Sequence, residues 1–201
     1  MEIPFRDIFF LIKCMKITVK TGIITAASWI LLKLSIFYLG FFPETIAPAV
    51  LLNILGLLLA ISIGLFLQKK IDTEQTSAMH DIKNALSAGF PYVVMVCLFI
   101  YLYYAKINPS YYANQVAKKE IAIEKMVNDP KALEEFKLTQ PDAEVMTKEA
   151  IEAKLKESNR KGASPGFTAT LSILSMLILA TIYSILVTII YRKILFKRIK
   201  A

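Results

Sequence analysis

Apolar residues along this chain gather into long unbroken stretches, rather than the alternating or one-faced patterns of strands and surface helices. Residues 45–68, 84–105 and 162–191 contain no charged side chain, giving runs of 24, 22 and 30 residues. About 20 apolar residues cross a bilayer as helix, so each run predicts a membrane span. A fourth stretch runs from Lys20 to Phe42 and is interrupted only by Lys33. It is too long for a secretory signal, whose apolar core covers about 7–15 residues before a small-residue cleavage site. The pattern predicts an all-α polytopic membrane domain over residues 1–201, with spans at about 20–42, 46–68, 86–105 and 167–191.

Local signals place the ends. Pro48 suits the first turn of the second span, where a missing N–H costs nothing, and Lys69-Lys70 closes that span. Pro91 stands near the start of the third, and Tyr101, Tyr103 and Tyr104 gather at its far end as an interfacial aromatic belt does. Gly162-Ala-Ser-Pro-Gly166 is a turn signal before the fourth. Between spans three and four lies a polar insert, residues 106–166, that reads as short helices. One covers about 111–127. Asp129-Pro130 opens a second, with Asp as N-cap and Pro at the first helical position. A third opens at Thr139–Asp142 or at Thr147, with Lys148, Glu152 and Lys156 spaced four apart. Leu133, Phe136, Val145, Met146, Ile151 and Leu155 are too few for an independent core of ordinary size, so a small helical cap is expected.

Composition agrees with lipid as the solvent: 56% of residues are hydrophobic and 20% charged, and mean hydropathy is +0.53. The net charge of +8 becomes informative once divided by position. Twelve lysines and arginines fall in the N-terminal segment, the connection between spans two and three, and the C-terminal tail, against five acids. The insert is nearly balanced, with 11 basic and 10 acidic residues, and long loops weigh little in the positive-inside rule. Both termini are therefore expected in the cytoplasm and residues 106–166 outside it. The positive charge reads as an orientation signal, so no nucleic-acid partner is expected. Membrane lipid surrounds the spans, and the remaining partner classes are a membrane or periplasmic protein or a second copy of the chain.

Chemistry inside the spans is sparse. Lys33 lies about nine residues from the outer end of span one, roughly 14 Å deep at 1.5 Å per residue. An ionisable side chain at that depth either snorkels to the headgroups or serves a function. In span two, Gly56, Ala60 and Gly64 recur every fourth residue with Asn53 just before them, all within about 80° of one helix face. This is a helix-packing face. Asn53 and Lys33 fall at comparable depths on consecutive spans, and a polar cluster of Lys33, Asn53, Tyr101 and Ser175 is expected. The five hydroxyls of span four, from Ser172 to Thr188, do not form one stripe, so no continuous conduit is indicated. No Asp, Glu or His lies within any expected span, and there is no phosphate-binding loop or H-E-x-x-H motif. No catalytic residue, cofactor or metal site is expected. His80 and Asp81 read as solvated residues at the membrane surface, and Cys14 and Cys97 as lying at different depths.

The stretch Tyr101-Leu-Tyr-Tyr-Ala-Lys-Ile-Asn-Pro-Ser-Tyr-Tyr112, closing span three and opening the insert, resembles the signature of an uncharacterised bacterial family of four-span membrane proteins, domain of unknown function 4199. Ala163-Ser-Pro-Gly-Phe167, leading into an apolar span and basic tail, is similar too, and the resemblance extends over about residues 19–200. The family implies four-span topology and an inner-membrane location. It carries no assigned activity or site residues. The preferred expectation is a non-enzymatic protein acting through a protein partner; the alternative is a small transporter or channel subunit with a polar path near Lys33 and Asn53.

Overall fold

A computed structural model describes residues 15–40, 47–72 and 76–195, and every regular element among them is helical. Helix α1 is Ile17–Tyr38 and α2 is Ala47–Ile71. Helix α3 is Ala78–Leu102 and continues through a π-helical turn, Tyr103–Ile107. The insert contributes α4 (Ser110–Asn128), α5 (Pro130–Thr139), α6 (Pro141–Glu144) and α7 (Lys148–Gly162). Helix α8 is Pro165–Ile190, followed by a second π-helical turn, Tyr191–Leu195. Four of these are long and apolar enough to cross a membrane: Ile17–Tyr38, Ala49–Ile71, Ala78–Ile107 and Pro165–Ile194. Their outward faces bear Leu31, Leu51, Leu98, Leu174 and Ile178, each more than half exposed. Water would not tolerate so much apolar surface, whereas lipid requires it. Cys14 and the Phe41-Phe42-Pro43 end of span one lie outside the described residues.

The chain divides into two compact units, one of residues 1–99 and 172–201 and one of residues 100–171. In the first, the buried positions of α2 are Asn53, Gly56, Leu57, Ala60, Ile61, Gly64 and Leu65, a stripe repeating every three or four residues. Helix α3 answers with Asp81, Asn84, Ala85, Ala88, Gly89, Tyr92, Val93, Val96 and Cys97. Three helices meet where residues are smallest. A Cβ added at Gly64 would lie 2.6 Å from the Ala88 Cβ, and one at Gly22 would strike the Ala88 carbonyl oxygen. On the opposite side, a Cβ at Gly89 would stand 3.1 Å from Ile61 and 3.4 Å from Ala180, bringing α8 into the same layer. Close backbone approach is what small residues permit in membrane helices.

Helix α3 begins at Ala78, about eight residues before the expected span. The Ser77 hydroxyl accepts from the His80 N–H (3.2 Å), a side-chain cap of the kind that starts helices. Two polar turns thus precede the apolar run.

The second unit is held by an antiparallel ladder between α4 and α7. Lys148 donates to Asn128 (2.8 Å), Lys156 bridges Glu124 (2.6 Å) and Glu152 (2.7 Å), and Arg160 reaches Glu120 (2.8 Å). Hydrogen bonds to these carboxylates hold the Lys156 and Arg160 side chains above their ordinary pKa values. Beneath the ladder, Val127, Ala143 and Ile151 are buried, with Leu133, Phe136, Met146 and Leu155 packed against them. Val145, expected among these, is instead 91% exposed. The caps fall on sequence signals: Asp129 accepts from Lys131 N (3.0 Å), Thr147 from Ala150 N (3.3 Å) and Ser164 from Phe167 N (3.2 Å). Around the first π-helical turn, Tyr104 packs against Tyr103, Tyr111 and Tyr112 with ring centroids 5.0–5.1 Å apart. The tyrosine-rich signature is therefore an aromatic cluster, an arrangement that adds about 0.5–1.5 kcal/mol per ring pair beyond burial.

Candidate functional site

Among the described residues of the first unit, two ion pairs centre on Asp81, whose side chain is fully buried. Its carboxylate meets the Lys69 ammonium at 2.7 Å and the Arg192 guanidinium at 2.8 Å. The Thr76 hydroxyl donates to it at 2.6 Å, Lys69 also donates to that hydroxyl, and Arg192 donates to the Thr76 carbonyl at 3.0 Å. One carboxylate thus joins the end of α2, the start of α3 and the π-helical turn that follows α8. Charge-assisted bonds of this kind are strong, and the low dielectric of a buried site raises the cost of losing any partner.

About one turn deeper stand Asn84, three residues beyond Asp81, and Thr188, four before Arg192. Both are buried, and Asn84 Nδ2 and Thr188 Oγ1 have no hydrogen-bond partner among the described residues. Ser184, next along α8, bonds its own backbone at Ala180 O (2.7 Å), as does Thr181 at Leu177 O (3.0 Å).

Further along, Tyr92 is fully buried and its hydroxyl lies 2.9 Å from Asn53 Oδ1 and 3.0 Å from the Asn53 carbonyl. Asn53 Nδ2 in turn faces the Met176 sulfur at 3.9 Å. Gly56 leaves the space that the Tyr92 hydroxyl occupies. A buried phenol needs a partner for its O–H, and Asn53 supplies it.

The expected intramembrane cluster is distributed differently. Asn53 is buried against Tyr92 and Met176. Ser175 is exposed, and the α8 residue that reaches Asn53 is its neighbour Met176. Tyr101 is 42% exposed and belongs to the second unit. Lys33 is half-buried, one turn beyond the buried Trp29. Counted from the place where Thr18 meets Gly64, Lys33 is 15 residues along α1 and Asn53 is 11 residues back along α2, so Lys33 lies about 6 Å farther out. Gly56, Ala60 and Gly64 are all buried on α2.

Sequence reasoning missed Asp81 and Tyr92. Beside His80, Asp81 reads as a solvated residue; His80 is exposed, but Asp81 sits on the inward stripe of α3. The signal was its spacing to Asn84, Ala85, Ala88 and Tyr92, visible once the helix is extended to Ala78. Among the described residues, no three His, Cys, Asp or Glu side chains are grouped so as to hold a metal ion.

The family model of DUF4199, described as a protein of unknown function, matches residues 20–193. The chain belongs to this family. No curated protein and no solved structure matches it. Within this DUF4199 protein the matched region starts on α1 and ends just past Arg192, so it includes Lys69, Asp81 and Arg192, the Asn53–Tyr92 pair and the whole insert.

Proposed function

We propose that the protein is a non-enzymatic component of the bacterial inner membrane that acts through a protein partner, with both termini in the cytoplasm and residues 106–166 presented outside. The orientation rests on the basic residues, and the Lys69–Asp81–Arg192 contacts support it by gathering the second connection and the approach to the tail at one end of the bundle. The observation that carries the partner reading is the insert's surface. It is laced with ion pairs, yet Leu138 is 86% and Val145 91% exposed. Such residues on a wet unit suit contact with another protein. A photoreactive side chain at Val145, activated in intact cells, is expected to capture a protein other than the chain itself. Adducts confined to lipid and to the chain itself would overturn the reading.

A small transporter or channel subunit with a polar path near Lys33 and Asn53 is the second reading. Buried polar groups at two depths, Asn84 and Thr188 at one and Asn53 at the other, favour it. Asn53 is, however, committed to Tyr92. Solute flux in liposomes that is unaltered by Asn53→Leu would remove this reading.

A further inference from the structure

Within the insert, a cleft of about 220 Å³ opens beside the small core. Ile151 lies at its floor, Phe136, Met146 and Leu155 are half-buried along it, and Lys154 and Ser158 are exposed at its rim. An apolar cavity of about 150 Å³ accepts benzene, so this one has room for a large apolar side chain.

Among the described residues, Lys154 is the single charged one lining the cleft. The other basic residues of α7 are engaged: Lys148 with Asn128, Lys156 with Glu124 and Glu152, Arg160 with Glu120, and Lys161 with Glu157. Lys154 makes no such bond among the described residues. A cation left without an acid beside an apolar cleft is complementary to an acid beside an apolar side chain. A single lysine is a poor match for an anionic bilayer, which selects clusters of about four to eight basic residues.

We propose that this cleft binds an acidic, apolar segment of a protein partner, seating one large apolar side chain among Phe136, Met146 and Leu155 and a carboxylate against Lys154. The assignment rests on the partner reading above and names the site and the chemistry it recognises.

The test uses the full-length protein in phosphatidylcholine nanodiscs with two fluorescent peptides of identical Leu/Phe positions, one with Glu and one with Lys between them. The Glu peptide is expected to bind about tenfold tighter than the Lys peptide, and Lys154→Glu to reverse that order. Ser158→Trp, which crowds the rim, should abolish binding of both. Both substituted residues are exposed, and unchanged helicity would exclude unfolding. Equal affinities, indifference to Ser158→Trp, or no binding of either peptide at millimolar concentration would overturn the proposal. So would Lys154-dependent binding of phosphatidylglycerol vesicles without peptide binding, which would assign the cleft to lipid. Capture from Val145 is scored separately, so the cleft can fail while the partner reading stands.

Discussion

Asp81→Ala is expected to destabilise the membrane unit by about 3–5 kcal/mol, seen as a large fall in the thermal midpoint of the purified protein in detergent. The loss follows from what remains. Lys69, with a side chain only 13% exposed, and Arg192 would face each other without the carboxylate, and the Thr76 hydroxyl would lose its acceptor. Arg192 is 38% exposed and can turn toward solvent, so Arg192→Met should cost less than Asp81→Ala. Removing all three charges together, in Asp81→Ala/Lys69→Met/Arg192→Met, should recover part of the loss, because a buried ion cluster is often replaceable by apolar groups although it cannot be halved. A single Asp81→Ala variant as stable as the parent protein would show that the carboxylate does not join the three helices.

The second large effect is steric. Gly22→Leu should prevent α1 from closing on α3, because its Cβ would meet the Ala88 carbonyl oxygen and, at 2.8 Å, the Pro91 ring. Backbone cannot yield as a flexible side chain does, so the cost should exceed the roughly 1–3 kcal/mol typical of overpacking. Limited proteolysis should find the variant cut within α1 or α2, where the parent is protected. Gly166→Leu serves as the control: nothing lies within 4 Å of a Cβ there, and little change is expected. Equal resistance of the Gly22→Leu variant and the parent would mean the three-helix approach is wrong.

The spans were legible because a bilayer demands long uncharged runs, and the caps at Asp129 and Thr147 because their side chains act on their own backbone. Helix α3 was harder to place. An apolar count ends where charge begins, and Asp81 is charged but buried because its cations come from α2 and from beyond α8. That neutralisation depends on residues more than a hundred positions apart, which no local pattern records. The Asn53 environment failed for a related reason. A polar residue in a span announces that it needs a partner, but which partner depends on the rotation of neighbouring helices. Tyr92 and Met176 fill that role, in place of the expected Lys33, Tyr101 and Ser175. In the insert, the core residues are identifiable from sequence, but the exposure of Val145 and the lack of a partner for Lys154 among the described residues emerge only when α4 and α7 are aligned.

A partner outside the cytoplasm can meet the insert only if residues 106–166 are delivered across the membrane. Reporter fusions at Glu135 and Ala201 measure this directly, using a reporter that is active only after export. Activity at Glu135 and silence at Ala201 is the predicted result; silence at Glu135 with activity at Ala201 would contradict it.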